Sequence, residues 1–416
     1  MTDAQLAAIA AAVGTPVYVY DAGMIRERFA ALTDALSRRL TAHVHYAVKA
    51  NSNLAVLALM RELGAGADIV SAGELARARA VGFPPNAVVF SGVGKTDSEL
   101  AEALAAGLRM INLESEGEAE RVIALAAQQG VVARVGIRVN PEVTTETHPY
   151  TQTGAKGMKF GVPLDRVPDL ARRLADDSHT TLVCVGMHIG SQITAGAPYR
   201  AGADRLASLV AALRAAGLMT LESVDVGGGL GIAYQEGAAA LDPDVFAEAI
   251  APLHDATGLP VLVEPGRYLV GPAGVLLTRV VYRKHTGGRE FVIADAGMND
   301  LLRPSLYQAE HPIRVVGAVP GATPEDVDVV GPICETGDFL GLRRRLAGAA
   351  PGALLAVEAA GAYGFSMSSQ YNSRPRPAEV LVDGDRWGIV RERERVADLI
   401  RGETPTPRWV HGEEAA

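Results

Sequence analysis

The sequence predicts an α/β protein in which a closed (β/α)8 barrel is followed by a mostly antiparallel β domain. Eight short, β-branched runs alternate with helical patterns over about 250 residues, which favours a barrel over an open sheet. After residue 272 the pattern changes to β-rich runs with few helical patterns between them. A chain of 416 residues also exceeds one ordinary domain. We therefore predict a barrel over 25–272 and a discontinuous β-barrel or β-sandwich domain over 1–24 and 273–416.

The predicted barrel elements follow one another in regular order. Apolar runs predict strands at 44–50, 67–71, 87–92, 110–115, 133–140, 182–190, 223–229 and 260–266. Helical patterns lie between them at 53–64, 72–82, 97–107, 116–130, 163–177, 198–217 and 243–257. Three helices begin with the sequence of a capping box: Ser71 with Glu74, Thr96 with Glu99, and Ser115 with Glu118. The longest loop, 141–161, follows the fifth strand, and loops of that length usually have a function or move.

The second domain is predicted from six β-rich runs. These lie at 274–284, 290–296, 313–319, 326–334, 353–359 and 378–391. The short run Pro16–Tyr20 precedes the barrel, and we expect it to pair with these later strands. That pairing would make the second domain discontinuous in sequence.

Composition excludes several classes of function. The net charge of -9 shows no general basic footprint, so we expect no nucleic-acid partner. Cys184 and Cys334 are far apart and lack a CxxC pattern or a histidine cluster, so we expect neither a disulfide framework nor a metal site. The amino terminus lacks a basic region, and no stretch is long and apolar enough to span a membrane. We therefore expect a cytoplasmic protein.

Lys49 is the first candidate for chemistry, because of its position. It lies within the segment 43–51, which reads as the first barrel strand running into a helix start, and it is placed at the carboxyl end of that strand. Barrels of this class place their active sites at the carboxyl ends of the strands. A lysine desolvated there can lose its proton and condense with a carbonyl cofactor such as pyridoxal phosphate. An isolated lysine at a strand end is more often a surface residue, so the interpretation depends on its neighbours.

Glycine-rich turns follow the seventh and eighth strands, where this fold usually binds phosphate. Gly227-Gly228-Gly229-Leu230-Gly231 follows one, and Glu264-Pro265-Gly266-Arg267 follows the other. Glycines let backbone N–H groups approach an anion closely. Neither this run nor Gly92-Val93-Gly94-Lys95-Thr96 completes a nucleotide-binding motif. Glu264 could keep a pyridine nitrogen protonated, which would make the ring a strong electron acceptor.

The sixth strand ends in His188-Ile189-Gly190-Ser191-Gln192, at the same predicted mouth. The His188 ring could stack on a flat cofactor, and the Ser191 hydroxyl could bind its phosphate. Together the segments 46–51, 188–192, 227–231 and 264–267, which read YAVKAN, HIGSQ, GGGLG and EPGR, form a specific pattern. Further matches lie at 295–304 with Tyr307, at 331–335 and at 361–364. With these motifs the chain resembles the diaminopimelate and ornithine decarboxylase group of fold-type III pyridoxal-phosphate enzymes.

The resemblance covers nearly the whole chain and is strongest to members acting on meso-2,6-diaminopimelate. It implies a pyridoxal-phosphate-binding barrel that converts this amino acid to L-lysine and carbon dioxide, the last step of lysine biosynthesis. The implied cofactor contacts are Lys49 (covalent), His188, Ser191, Gly228, Glu264, Gly266, Arg267 and Tyr363. The implied substrate contacts are Arg267, Arg303, Tyr307, Glu335 and Tyr363. Cys334 would donate the proton from the partner subunit of a homodimer with shared active sites.

Three alternatives remain open from the sequence. An ornithine, lysine or arginine decarboxylase shares the scaffold, but a substrate without a distal carboxylate would leave Arg303 without a partner. An amino-acid racemase would need a second base opposite Lys49 and would have no role for Cys334. A non-enzymatic binding homologue would tolerate the loss of Cys334 or Glu264, and both are present.

Overall fold

Eight parallel strands close into a barrel in the computed structural model of the chain, which describes residues 1–143, 157–235, 237–318 and 321–409. A second sheet, formed mainly by the carboxyl-terminal third, lies beside it. The predicted fold class is therefore confirmed. Residues 144–156 of the predicted long loop lie outside the described part of the chain.

The described strands and helices have the following bounds. The strands are β1 Val17–Asp21, β2 Ala42–Ala47, β3 Gly66–Ile69, β4 Val88–Phe90, β5 Met110–Leu113, β6 Ala133–Asn140, β7 Val162–Pro163, β8 Thr180–Met187, β9 Ser223–Asp225, β10 Val261–Val263, β11 Gly274–Thr286, β12 Arg289–Ala294, β13 Ile313–Val315, β14 Glu325–Val330, β15 Phe339–Leu346, β16 Leu354–Val357, β17 Ala378–Asp383 and β18 Arg386–Arg391. The helices are α1 Asp3–Val13, α2 Ala22–Ser37, α3 Leu54–Glu62, α4 Ala72–Ala80, α5 Asp97–Ala106, α6 Glu116–Gln129, α7 Val167–Asp176, α8 Ala197–Ala215, α9 Pro243–Thr257, α10 Arg267–Val270, α11 Arg303–Tyr307 and α12 Val396–Leu399.

The barrel ring contains the eight strands that the sequence predicts. Its order is β2, β3, β4, β5, β6, β8, β9 and β10, and the pairing of β10 with β2 closes it. The two-residue strand β7 pairs in parallel with the carboxyl end of β6, at Val139 and Asn140. Apolar side chains, among them Val89, Met110, Val183 and Leu262, form a buried cluster with Cys184. Cys184 is therefore a core residue.

The first barrel strand ends earlier than predicted. β2 ends at Ala47, and Lys49 lies on the single 3-10 turn Val48–Ala50. Gly266 packs so closely on this turn that a Cβ atom there would lie 2.8 Å from the Cβ of Ala50. The turn is thus held against the segment that follows β10, and it keeps Lys49 at the carboxyl end of the barrel.

The predicted capping boxes form fully at one helix and in half at two. At α5, the Thr96 hydroxyl accepts from the Glu99 N–H, and the Glu99 carboxylate accepts from the Thr96 N–H. Ser71 and Ser115 likewise cap α4 and α6 with their hydroxyl groups. In these two helices the glutamate accepts from the residue before the cap instead: Glu74 from the Val70 N–H and Glu118 from the Glu114 N–H. The short strand-to-helix connections place these N–H groups within reach.

The second sheet is mixed, with the path β15, β14, β12, β11, β1, β17, β18; β16 also pairs with β11, and β13 pairs with β16. Most pairs are antiparallel, as predicted, but β12 with β14 and β1 with β17 are parallel. β1 lies between β11 and β17, which confirms that the early run pairs with the later strands. The exact domain limits stay a prediction.

Several elements of the second domain differ from the prediction. The run 378–391 is a hairpin of two strands, turning at Gly384 with a φ of 68°. Strand β15 was not predicted, because three arginines at 343–345 obscure its apolar alternation. Helices α1 and α2 were not predicted either, although α2 packs on both α9 and β17. No helix in the described ranges has the length and apolarity needed to cross a membrane.

Candidate active site

Lys49 lies in a cavity at the carboxyl ends of the barrel strands. The cavity has a volume of about 380 Å³, and its lining includes Lys49, Ser91, Arg138, His188, Asp225 and Glu264. The structure therefore brings together the motifs of the first, sixth and eighth strands, as the sequence predicts.

The Lys49 amine is paired with a buried carboxylate. Its Nζ atom lies 2.5 Å from Oδ2 of Asp68, which is fully buried, while the Lys49 side chain is 35% exposed toward the cavity. Burial lowers the pKa of Lys49, but the carboxylates of Asp68 and Glu264 raise it more, so it lies above its usual value. Lys49 therefore keeps its proton in this arrangement. Desolvation alone, on which the sequence argument depended, does not neutralise it.

Glu264 shares its surroundings with a second buried carboxyl group, Asp225. Glu264 is 8% exposed and Asp225 is 3% exposed, and the two side chains are hydrogen-bonded to each other. One Asp225 oxygen also accepts from the N–H of Gly227 at 2.7 Å. Burial raises the pKa of Asp225 to about 7 and raises that of Glu264 well above its usual range. Two carboxyl groups in contact cannot both ionise easily, so the pair holds a proton near neutral pH.

His188 is neutral and fixed in one orientation. Its Nδ1 atom accepts from the N–H of Gly228 at 3.2 Å, which assigns the ring proton to Nε2. Burial, followed by the positive charges of Arg138 and Lys49, lowers the pKa of His188 well below its usual value. A neutral imidazole held flat by a backbone contact suits stacking on an aromatic ring.

The glycine-rich turn is packed too closely for side chains. A Cβ atom at Gly228 would lie 2.0 Å from the carbonyl oxygen of Glu264, and one at Gly229 would lie 2.2 Å from that of Gly190. Gly229 also has a φ of 96°, which L side chains rarely adopt. The turn therefore brings bare backbone from the seventh strand against the ends of the sixth and eighth strands. Such a backbone cradle suits phosphate.

Two buried guanidinium groups lie beside this cradle. Arg267 and Arg303 are 8% and 5% exposed, and both donate to the hydroxyl of Tyr234. Arg267 also donates to Oγ of Ser191 at 2.9 Å. Neither Arg267 nor Arg303 forms an ion pair with another described residue, and the Nε atom of each is buried without a hydrogen-bond partner. Buried cations without carboxylates mark a place for anionic groups of a ligand.

The two remaining predicted tyrosines lie on different parts of the second domain. Tyr363 donates its N–H to the carbonyl of Ala50 at 2.8 Å, and the Arg267 guanidinium lies 4.9 Å from the centre of its ring. Tyr363 is therefore next to the Lys49 turn. Tyr307 is half-buried, one helical turn after Arg303 on α11. It follows Arg303 on the same helix face.

Cys334 and Glu335 do not join the cavity of their own chain. Both residues are exposed. The N–H of Cys334 donates to Oδ1 of Asn372 at 2.9 Å, and the Glu335 carboxylate accepts from the Tyr371 hydroxyl at 2.9 Å. These contacts lie within the second domain. The cavity therefore holds the cofactor candidates without the predicted proton donor.

Sequence reasoning missed several residues of the site. Asp68 and Asp225 lie inside apolar strand runs, and Tyr234 follows the glycine-rich turn. A carboxylate within an otherwise apolar barrel strand was a usable signal, because a buried charge requires a partner. Tyr234 had no comparable signal, since aromatic residues after a turn are common.

The residues of the cavity fit pyridoxal phosphate. The backbone cradle and the unpartnered guanidinium of Arg267 suit its phosphate, and Lys49 suits its carbonyl carbon. The carboxyl pair suits its ring nitrogen, because a carboxylate favours the protonated pyridine. His188 suits the ring face.

The shared proton leads to a prediction on stability. Folded Asp225 binds a proton up to about pH 7, whereas in the unfolded chain its carboxyl group has its usual pKa of 3.8 and loses the proton near that pH. Asp225 therefore contributes less to stability as the pH rises through this window. Buried histidines with lowered pKa values, such as His45 and His311, act in the opposite direction, so a variant must isolate the effect.

In urea unfolding, Asp225→Asn is expected to gain stability relative to the wild type between pH 5 and 7, by at most about 1.4 kcal/mol per pH unit, and to level off above pH 8. Asp383→Asn is the matched control, because the pKa of Asp383 beside Arg26 and Arg386 is lowered to about 2. Its carboxylate is therefore ionised in both the folded and the unfolded chain over this pH range. A difference that stays constant from pH 5 to 8 contradicts the shared proton.

Comparisons with known proteins agree with this chemistry. Residues 22–271 match the family model of the pyridoxal-dependent decarboxylases, pyridoxal binding domain. The diaminopimelate decarboxylase of Pseudomonas aeruginosa is 48% identical over 403 residues, which cover 97% of this chain and 96% of the relative. The crystal structure of diaminopimelate decarboxylase from Helicobacter pylori complexed with L-lysine is 40% identical, with a TM-score of 0.88 and coverage of 93% of this chain and 96% of that one.

A lysine/ornithine decarboxylase from Vibrio vulnificus, complexed with putrescine, is more distant. Its TM-score is 0.79 over 92% of this chain and 98% of that one, but its identity is 21%. This likeness is one of fold alone.

Proposed function

The chain belongs to the pyridoxal-dependent decarboxylases, and within them to the diaminopimelate decarboxylases, and from this premise we propose that it converts meso-2,6-diaminopimelate to L-lysine and carbon dioxide. The observation that carries the proposal is the pair of buried guanidinium groups, Arg267 and Arg303, beside a cavity that fits pyridoxal phosphate. Diaminopimelate keeps a second carboxylate after the first has left, so its site needs a cation that a diamine-forming enzyme does not need.

Each cofactor contact has a proposed role. Pyridoxal phosphate, when bound, supplies a conjugated ring that accepts the electron pair left behind by departing carbon dioxide. Lys49 holds the carbonyl carbon, and Asp68 is placed to take the proton that Lys49 must lose first. Glu264 holds the proton at the ring nitrogen, supported by its hydrogen bond with Asp225.

The other contacts fix the orientation of the ring. His188 covers one face, held by its hydrogen bond with the Gly228 N–H. Ser191, Gly228 and the turn of Gly266 and Arg267 bind the phosphate, and Tyr363 closes the site over Arg267. Orientation matters because the bond that breaks must align with the ring's electron system.

The substrate contacts are proposed from charge. Arg303 and Arg267 bind the distal carboxylate, and the hydroxyls of Tyr307 and Tyr363 add hydrogen bonds. Glu335 binds the distal ammonium group. This set matches an ammonium and a carboxylate at the far end of the substrate, the feature that separates diaminopimelate from ornithine, lysine and arginine.

We further propose a homodimer with shared active sites. Cys334 and Glu335 are exposed and have their polar contacts in the second domain, which supports their delivery into the cavity of a partner subunit. Cys334 would protonate the carbon after carbon dioxide leaves. An exposed reactive thiol must stay reduced, which supports a cytoplasmic location. We also propose that the barrel domain spans 25–272 and that β1 belongs to the second domain, as its pairing supports.

The test is a substrate panel. Purified protein loaded with pyridoxal phosphate is incubated with meso-diaminopimelate, lysine, ornithine and arginine, and carbon dioxide and amine products are measured. A buried guanidinium without its partner costs about 3–5 kcal/mol, so we expect kcat/KM to favour diaminopimelate over ornithine by roughly 10²–10³-fold or more. Racemised substrate without carbon dioxide would indicate a racemase, and no turnover of any substrate would indicate a binding protein.

Arg303→Ala is expected to remove the substrate preference mainly by lowering kcat/KM for diaminopimelate, by roughly 10²-fold or more. Arg172→Ala is the control, since Arg172 lies on α7 with a 58% exposed side chain. Equal kcat/KM for diaminopimelate and ornithine in the wild type would refute the specificity while leaving the decarboxylase activity intact.

A further inference from the structure

We propose that Tyr371 and Asn372 are positioning residues that hold Cys334 and Glu335 in the orientation in which a partner subunit receives them. The inference rests on the proposed function, because it assigns these two residues to the delivery of the proton donor and of the ammonium-binding carboxylate. We call residues 371–372 the clamp and residues 334–335 the loop tip.

Asn372 fixes the backbone of the tip. Its Oδ1 atom accepts from the N–H of Cys334 at 2.9 Å. Asn372 itself has a φ of 55°, and Ser373 after it has a φ of 53°. Non-glycine residues enter this region at a cost, and asparagine is among those that tolerate it best. Asn372 therefore adopts this backbone conformation and still offers a side-chain acceptor to the loop tip. A glycine would adopt the conformation more easily but would have no acceptor.

Tyr371 fixes the carboxylate of the tip. Its hydroxyl donates to Oε2 of Glu335 at 2.9 Å, although the tyrosine is 44% exposed. A solvent-exposed contact of this kind adds little to stability, since water competes for both groups. The contact instead orients the carboxylate. Because Tyr371 holds one oxygen of Glu335, the second oxygen can face an ammonium group.

The base of the loop is anchored separately from its tip. The buried carboxylate of Asp338 accepts from the N–H groups of Ile333 and Met298, both at 2.6 Å. Gly331 and Gly297 also pack closely, since a Cβ atom at Gly331 would lie 2.4 Å from the Cα of Gly297. The base is thus rigid without the clamp, so loss of the clamp should release the tip and leave the fold intact.

The two halves of the clamp predict different kinetic defects. A donor must lie within a fraction of an ångström of its productive position, so release of Cys334 should lower kcat. Release of Glu335 weakens a contact to the distal ammonium that is made before and during the reaction, so it should raise KM. A purely structural role would lower both parameters through loss of folded protein.

The experiment compares Tyr371→Phe, Asn372→Gly and Asn372→Asp in the holoenzyme. Tyr371→Phe is expected to raise KM for meso-diaminopimelate about 10-fold with kcat within about 2-fold, the effect of losing a hydrogen bond to a charged group. Asn372→Gly accepts the backbone conformation but has no acceptor, and we expect kcat to fall about 10-fold with KM unchanged. Asn372→Asp keeps an acceptor oxygen. At low pH, where the new carboxyl group is neutral like the amide it replaces, its kcat should therefore be close to that of the wild type.

Alkylation of Cys334 gives a readout that does not depend on turnover. Cys184 is fully buried in the barrel core, so alkylation by iodoacetamide reports Cys334, whose thiol is exposed in the single chain. The added charge in Asn372→Asp should move the alkylation midpoint to higher pH, whereas Asn372→Gly should not move it in that direction. Tyr282→Phe is the matched control, an exposed tyrosine on β11 that should leave every parameter unchanged.

The outcomes separate the two proposals. If the wild type releases no carbon dioxide from meso-diaminopimelate, the proposed function is wrong. If the wild type is active but Tyr371→Phe and Asn372→Gly both stay within 2-fold of its KM and kcat, and the alkylation midpoint of Asn372→Asp does not move, the clamp is wrong.

Discussion

Lys49→Ala is expected to lose the covalent attachment of the cofactor and to lower turnover by at least ~10²–10⁴-fold, the contribution of a positioned acid–base group alone. The reason is the position of Lys49, on a turn held by Gly266 with its amine paired to Asp68. Some affinity for pyridoxal phosphate should remain, because the glycine-rich turn, Ser191 and Arg267 are intact.

Borohydride reduction followed by peptide mapping measures this directly. The purified wild type is expected to be yellow, with the reduced adduct on the peptide that contains Lys49. The variant should lack the adduct while keeping some affinity for the cofactor through the phosphate contacts. Lys284→Ala, at an exposed position of β11, should behave as wild type. An adduct on any other lysine would remove Lys49 from its proposed role.

Cys334→Ala is expected to fold and to bind cofactor and substrate, yet to turn over ~10²–10⁴-fold more slowly, because it lacks the proposed proton donor. Single-turnover measurements should show that carbon dioxide is still released before the slow protonation step. Cys184→Ala is the control with the reverse behaviour: this thiol is fully buried in the barrel, so its loss should lower thermal stability and spare turnover. Turnover of Cys334→Ala within about 2-fold of wild type would return Cys334 to a structural role.

The two variants together test the shared site. Lys49→Ala subunits retain Cys334, and Cys334→Ala subunits retain Lys49, so mixed dimers regenerate one intact site. Random exchange should restore at most about a quarter of the wild-type activity. No recovery despite demonstrated exchange would mean that each site is built from one chain.

The barrel was predictable because its strands are short, apolar and regularly spaced. Each predicted strand overlaps an observed one, and the segments 188–192, 227–231 and 264–267 do meet at the carboxyl ends of the strands. The second domain was less predictable, since its sheet mixes parallel and antiparallel pairs of distant segments. Strand β15 shows the physical reason. Its three consecutive arginines lie mostly at the surface and interrupt the alternation of apolar and polar residues on which strand prediction depends.

The site was predictable where a residue type carries its own chemistry. Lys49, His188, Glu264 and the glycines could be found in this way. The partners of these residues could not, because Asp68 and Asp225 act through contacts made by strands distant in sequence. Sequence spacing also gave no account of protonation: only the structure shows that a carboxylate 2.5 Å away keeps Lys49 charged.

The location of β1 has a consequence for biosynthesis. This strand leaves the ribosome long before its two neighbours in the sheet, β11 and β17, and β17 begins only at Ala378. At ordinary translation rates, the delay between the synthesis of β1 and that of β17 is on the order of tens of seconds. During that time the barrel strands can assemble. The backbone N–H and C=O groups along one edge of β1 still lack their hydrogen-bond partners and could pair with another nascent chain. We therefore expect ribosome-bound chains that end before residue 378 to contain a protected barrel and a protease-sensitive β1. Chains that include β17 should protect both.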